Sequence, residues 1–348
     1  MAERRPPLRG RGTASNPKHR FHTRSFEPDP EEPLPRTRFL KDASRSIIAT
    51  HESPDVGFEA SVNPYRGCEH GCVYCYARPF HEFLGYSAGL DFETKILVKE
   101  EAPELLRKEL SSPKWTPKTL AISGVTDAWQ PVERRLGLTR RVLEVLAEFR
   151  NPVSVITKNH LVTRDADLLG SLAARGAAAA TVSITTLDAG LARSMEPRTS
   201  TPARRLDAIA RLADAGVPVG VNVAPVVPGL TDHELPAILK AAAEAGATFA
   251  GHVVLRLPHA VKDLFEAWLA RHFPDRREKV LHRIREVRGG GLNDPSFGSR
   301  MEGRGAYAEQ IHSLFRLGCR KAGLAVDVPG LSTAAFRVPP GPQLTLFD

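Results

Sequence analysis

A short apolar run followed by an amphipathic stretch recurs along this chain, and that alternation limits its fold more than any other feature. Strand-like runs occur at "TLAIS" (119–123), "PVSVI" (152–156), "ATVSI" (180–184), "VPVGVNV" (217–223) and "TFAGHVVL" (248–255), with starts about 30 residues apart. An earlier run, "VGFEASVNPY", alternates Val56, Phe58, Ala60 and Val62 at the period of a strand. Helical patterns lie between the runs. "LTRRVLEVLAEF" puts Leu138, Val142, Val145, Leu146 and Phe149 on one face. "TPARRLDAIARLADAG" has Thr201 as N-cap, Pro202 at the first helical position and Gly216 as its stop. "TDHELPAILKAAAEAG" opens with a Thr231–Glu234 capping box and ends at Gly246. Strands alternating with helices build βαβ units around a parallel sheet. Six such units predict an α/β partial barrel rather than a closed eightfold one. In folds of this kind the loops at the C-terminal ends of the strands carry the chemistry.

The flanks divide the chain further. Residues 1–37 are rich in Pro, Arg, Gly and Ser, and the first 25 hold seven basic residues against the single acid Glu3. This reads as a disordered basic arm. The partial barrel is assigned to residues 38–257, a C-terminal helical extension to 258–328 and a flexible, Pro-rich tail to 329–348. No run of 18 apolar residues exists, so no membrane association is expected. The N-terminus lacks the apolar core of a signal peptide, which points to the cytoplasm. The net charge of +8 suits a polyanionic partner such as DNA without requiring one.

The chemistry concentrates in "YRGCEHGCVYCYARP", residues 65–79, where Cys68, Cys72 and Cys75 fall within eight positions; the only other cysteine is Cys319. In a reducing compartment clustered thiols bind metal rather than pair as disulfides. Soft thiolates suit zinc or an iron–sulfur cluster. Structural zinc needs a fourth protein ligand, for which His70, His81 and Cys319 are the candidates. A [4Fe–4S] cluster held by three cysteines instead leaves one iron open to a small molecule.

The Cys68-x3-Cys72-x2-Cys75 spacing, with Tyr74 before the last cysteine, resembles the radical S-adenosylmethionine (SAM) superfamily. "NPYRGCEHGCVYCYARPFHEF" further resembles its bacterial subgroup akin to spore photoproduct lyase, and the likeness runs from about residue 40 to 325. The resemblance implies that Cys68, Cys72 and Cys75 hold a [4Fe–4S] cluster, whose remaining iron takes the amino and carboxylate groups of SAM. Reductive cleavage of SAM would then give a 5′-deoxyadenosyl radical, with the electron drawn from a flavodoxin- or ferredoxin-type donor. By the same resemblance, Thr126 and Asp127 in "ISGVTDAWQP" face the SAM ammonium, Lys158 in "ITKN" meets its carboxylate, Ser183 in "VSITT" contacts the cofactor, and Arg198 in "MEPRTSTP" is a second carboxylate contact. Tyr74 and Tyr76 match the tyrosine relay of the lyases, with Tyr74 also packing the cofactor and Tyr76 assigned to catalysis.

The resemblance breaks at one point. The lyase returns a hydrogen through a cysteine near its second strand, and "TLAISGV" has none. A radical reaction on nucleic acid, in DNA repair or modification, is therefore the leading expectation. A radical enzyme acting on a small molecule or protein, and a cluster-bearing DNA-binding protein without turnover, are the alternatives. "GSRMEGRGAYAEQI" offers Arg300, Arg304 and Tyr307 either to phosphate or merely to a loop and helix start. At the end of the chain Gln343, Leu344, Leu346 and Phe347 resemble the QLxLF peptide that binds the bacterial sliding clamp.

Overall fold

The computed structural model describes residues 10–21 and 35–340. Its strands are β1 (Arg38–Lys41), β2 (Ile48–Thr50), β3 (Ala60–Val62), β4 (Tyr65–Arg66), β5 (Lys95–Val98), β6 (Leu120–Ile122), β7 (Val153–Thr157), β8 (Ala178–Ser183), β9 (Val219–Val226) and β10 (Phe249–Val254). Seven of them form one sheet in the order β10-β9-β8-β7-β6-β3-β2. Every pairing from β3 to β10 is parallel, and β2 closes the β3 edge antiparallel. These are the six expected parallel strands, and because β2 and β10 are opposite edges the barrel is open. The first strand is shorter than its alternation suggests: Val56 and Phe58 precede it, and pairing begins only at Ala60.

Helices cover the outer face. The helix Leu138–Phe149 buries all five residues of its expected face, together with Thr139 and Leu143. The helix Pro202–Asp214 starts after an extended Thr201, and Gly216, with φ of +75°, turns the chain back toward β9. The expected capping box at Thr231 does not form. The Thr231 hydroxyl accepts from the Val227 amide at 2.9 Å, and the Glu234 carboxylate takes the Thr186 hydroxyl and the Leu187 amide at 2.6 and 2.7 Å. Thr231 closes its own loop, and Glu234 serves a contact to the loop after β8 that local sequence does not reveal.

The C-terminal helices pack onto the barrel. Ala306–Ala322 lies against Leu235–Glu244 so closely that a Cβ on Gly318 would stand 2.6 Å from Leu239 Cδ1. Cys319 is buried there, in the main core. Beyond this helix Ala325 exchanges hydrogen bonds with Thr248 and Ala250, covering part of the β10 edge.

Two segments correct the sequence reading. Residues 10–21, expected within a disordered arm, are docked on the cysteine loop. The Gly12 amide, the Thr13 amide and the Thr13 hydroxyl all donate to the Glu93 carboxylate, at 3.0, 3.1 and 2.9 Å. Arg20 pairs with Glu82. Composition does not reveal this, because the segment is held by backbone donors and two buried acids, not by an apolar face. Residues 332–337, assigned to the flexible tail, are likewise tied down: the Ser332 amide donates to Gly176, the Arg337 amide donates to Phe149, and Phe336 packs on the Phe149 ring. The clamp-like motif lies outside the described residues.

Candidate active site

The cysteine loop leaves β4 at Gly67, whose φ is +78°. A Cβ there would stand 3.0 Å from the carbonyl oxygens of Phe92 and Lys95, so the loop needs glycine for both its dihedral and its close approach. Arg78, fully buried, pins the loop from behind. It donates to the carbonyls of Cys72 at 2.9 Å, Gly71 at 3.1 Å, Gly89 at 3.0 Å and Ala88 at 3.2 Å, and to Glu93 at 2.6 Å. Five hydrogen bonds from one planar guanidinium fix the backbone that carries the thiols.

Cys68 and Cys72 are buried and Cys75 is half-buried. Burial pushes all three thiols up, and for Cys68 the charges of Asp127 and then of the two other cysteines add to the effect. Among the described residues no three or more His, Cys, Asp or Glu side chains converge as a single metal ion demands. The candidate fourth ligands do not converge with the thiols among the described residues, although the buried His81 Nε2 has no hydrogen-bond partner there. His70 directs its ring nitrogens to Asp127 (3.4 Å) and Asn159 (3.0 Å) and is pulled down by burial to about 4. His81 packs between Phe92 and Tyr86, and Cys319 is in the main core. Three soft donors on a rigid, half-covered loop fit a cluster that needs three protein thiolates and leaves a site open.

The opposite wall is built by strand ends. Asp127, after β6, accepts from the amides of Trp129 (2.9 Å) and Lys158 (2.8 Å) and from the Thr157 hydroxyl (2.8 Å). Its carboxylate thus joins the ends of β6 and β7. Thr126 is buried and donates its hydroxyl to the Tyr65 carbonyl at 2.9 Å. Lys158 Nζ reaches Ala224 O at 2.8 Å, Glu196 at 3.1 Å and Thr185 at 3.2 Å, with its ammonium 5.7 Å from the centre of the Tyr74 ring. Burial, reinforced by Arg205, pulls Lys158 down to about 7. Tyr74 donates to Glu196, which also takes Arg205. Ser183 is buried at the end of β8, and its carbonyl accepts from Arg205 at 3.0 Å. Arg198 pairs with Glu69 of the cysteine loop at 3.1 Å, and its amide donates to His70 O.

The fold therefore gathers Tyr74, Lys158 and Ser183 around a Glu196–Arg205 pair, and sets Asp127 and Arg198 on either side of His70. Thr126 turns toward backbone instead. Tyr76 stands apart from Tyr74: its hydroxyl donates to Gly124 O at 2.5 Å, after β6, and the residue is partly exposed. Glu196, Arg205, Arg78 and Glu93 belong to the site although sequence reasoning did not single them out. Glu196 was within reach, two residues before Arg198 in "MEPRTSTP"; Arg205 reads as an ordinary helix residue until it is seen buried.

A family model described as the Radical SAM superfamily matches residues 62–242, from β3 to the helix after β9. The chain belongs to that superfamily. Relatives of the radical SAM chain include an uncharacterized protein of Mycobacterium tuberculosis, 38% identical over 69% of this chain and 70% of its own. An uncharacterized protein of Methanocaldococcus jannaschii is 29% identical over 51% of this chain and 64% of its own. Among solved structures, a spore photoproduct lyase mutant with bound AdoMet and dinucleoside spore photoproduct superposes with a TM-score of 0.57, at 17% identity, over 83% of this chain and 80% of that one. That likeness shows a shared fold. The superfamily implies SAM and a [4Fe–4S] cluster, and the three-thiol loop fits both. No helix among the described residues is long and apolar enough to cross a membrane.

Proposed function

We propose that this radical SAM enzyme acts on nucleic acid, in a lyase-like or modifying reaction. One observation carries the reading: an exposed aromatic stripe leaves the cysteine loop at the barrel mouth. Tyr76, Phe80 and Phe83 follow one another on the turn after Cys75 and are 42%, 51% and 69% exposed. Phe21 joins them from the docked N-terminal segment, with ring centres of Phe21 and Phe83 5.2 Å apart. The Arg20 guanidinium lies over both rings, 5.0 and 5.7 Å from their centres. Exposed aromatic faces are what unstacked bases stack on, while the Arg20 cation is already paired with Glu82. The net charge of +8 and the fold shared with a protein solved with a dinucleoside photoproduct support the same substrate class.

When bound, the cluster and SAM supply an electron and a carbon-centred radical able to abstract hydrogen. The chain's own residues do the rest. Cys68, Cys72 and Cys75 hold the cluster on a loop that Arg78 keeps rigid. Lys158, with a buried cation and three acceptors, is the group that can exchange one acceptor for the SAM carboxylate. Asp127 holds two strand ends in register and would face the SAM ammonium. Tyr74 closes the buried wall, and Tyr76, its hydroxyl held by the Gly124 carbonyl, would present its ring to the substrate. The Pro-rich tail would tether the enzyme to a sliding clamp, and a flavodoxin- or ferredoxin-type partner would deliver the electron.

The test is anaerobic incubation of the reconstituted protein with SAM, dithionite and oligothymidylate, with and without prior ultraviolet irradiation, reading 5′-deoxyadenosine. Faster release with oligonucleotide, and deuterium moving from a labelled oligonucleotide into the 5′-deoxyadenosine, is the expected result. Equal release with and without every oligonucleotide, and no deuterium transfer, would overturn the proposal. Salt-dependent DNA binding without any SAM cleavage would leave only a binding protein.

A further inference from the structure

β10 ends at Val254, and two residues later Arg256 enters the barrel mouth beside Tyr76. Its guanidinium carbon is 5.5 Å from the centre of the Tyr76 ring. The side chain is poorly satisfied. One terminal nitrogen reaches only the Met301 sulfur, at 3.3 Å, and Nε is buried with no hydrogen-bond partner among the described residues. A thioether is a weak acceptor, so this cation has lost water without gaining an oxyanion.

The neighbours compensate it only in part: Asp55 attracts it without a hydrogen bond, while Arg300 repels it. Arg256, Arg288, Arg300 and Arg304 are four guanidiniums that meet two carboxylates, Asp55 and Asp294. Asp55 is taken by Arg300 and by the Gly298 amide at 2.7 Å. Asp294 is taken by Arg304 at 2.8 Å and the Ser299 hydroxyl at 2.7 Å. Arg288 is buried and spends its donors on the carbonyls of Val254, Leu255 and Ser299, which fixes the backbone leading to Arg256. The corner therefore holds surplus positive charge on a rigid strand end, and the second terminal nitrogen of Arg256 has no hydrogen-bond partner among the described residues. Keeping an unpaired, half-buried guanidinium is costly unless a ligand completes it.

We propose that Arg256 binds a phosphodiester of the nucleic-acid substrate and so sets which nucleotide lies against Tyr76. The proposal rests on the nucleic-acid reading above. A planar guanidinium matches phosphate oxygens, and the exposed rings of Tyr76, Phe80 and Phe83, close to one another in sequence, would take the bases that the phosphate joins. The site is distinct from the three thiols and from the Lys158 wall.

The test uses the full-length, cluster-reconstituted protein under anaerobic conditions. Fluorescent oligothymidylate binding is measured by anisotropy against salt for the wild type, Arg256→Gln and Arg256→Lys. Thymidylyl-thymidine and its uncharged methylphosphonate analogue then serve as competitors. Arg256→Gln is expected to bind about 10- to 100-fold more weakly, with a log–log salt slope shallower by about 0.7, because one phosphate is no longer neutralised. Arg256→Lys should recover the slope but only part of the affinity, because the charge returns without the fork. The wild type should prefer the charged dinucleotide, and Arg256→Gln should not distinguish the two. Equal affinity and slope in wild type and Arg256→Gln, at equal iron content, would overturn the phosphate site while leaving the nucleic-acid reading intact. If the wild type binds no oligonucleotide at low salt, the nucleic-acid reading itself falls, and this inference with it.

Discussion

Replacing Gly12 with alanine tests whether the N-terminal segment is part of the cluster-binding unit. A Cβ on Gly12 would overlap the carbonyl oxygen of Gly71 and stand 2.8 Å from its carbon and 3.3 Å from the Val73 amide nitrogen. All three are backbone atoms of the cysteine loop, so no side chain can swing aside. The segment must move outward far enough to break the hydrogen bonds at 2.9–3.1 Å that Gly12 and Thr13 make to Glu93. Hydrogen bonds to a carboxylate contribute about 1.5–3 kcal/mol each. Regained chain freedom at Gly12 and Thr13, about 1–2 kcal/mol per residue, offsets part of that sum. A net loss of about 3 kcal/mol lowers the docked-to-undocked ratio roughly 100-fold. The assay is limited trypsin digestion, following cleavage after Arg11, Lys18 and Arg20 by mass spectrometry, alongside the rate at which air bleaches the reconstituted cluster. Gly57→Ala is the control, since a Cβ at Gly57 meets nothing within 4 Å. Gly12→Ala should be cut and bleached much faster than Gly57→Ala. Equal digestion and bleaching in the two variants would refute the argument that this segment is docked on the loop.

Four further outcomes are expected. Anaerobic protein should carry about four irons and four sulfides; Cys68→Ala, Cys72→Ala or Cys75→Ala should remove the chromophore and Cys319→Ala should keep it, whereas stoichiometric zinc without labile sulfide would contradict the cluster. Lys158→Ala should weaken SAM binding by roughly 10- to 150-fold with the cluster retained; Asp127→Ala should in addition lower the melting temperature, because the Lys158 and Trp129 amides lose their acceptor. Burial, together with the nearby His312, pulls His252 down to about 4, so the unfolded chain takes up a proton first and stability falls between about pH 6.5 and 4, by at most about 3 kcal/mol; His252→Phe should flatten that part of a denaturation-versus-pH curve, and an unchanged curve would remove the linkage. A peptide spanning residues 338–348 should bind a bacterial sliding clamp with micromolar affinity and lose it on Leu346→Ala with Phe347→Ala; equal binding by both peptides would dismiss the tether.

The sequence alone determined the periodic part of this protein. Short apolar runs and amphipathic helices recur because the parallel strands are buried on both faces and each helix on one, and that requirement is written locally, residue by residue. The same holds for the thiols: Cys68, Cys72 and Cys75 share one loop, so their spacing could be read directly. What only the tertiary structure decided are the contacts between distant loops. Arg78 and Glu93 read as surface charges until the loop and the N-terminal segment close over them. Arg205 reads as an exposed helix residue until its guanidinium reaches Glu196 and Ser183. Thr231 and Glu234 fit a helix cap in sequence, yet Thr231 closes its own loop onto Val227 and Glu234 is spent on the loop after β8. Residues 10–21 have the composition of a disordered arm, but two buried carboxylates hold their backbone. Hydrogen bonds and charge pairs across dozens of residues leave no periodic trace, because each depends on where a partner from another strand end arrives in space, and only the assembled barrel fixes that.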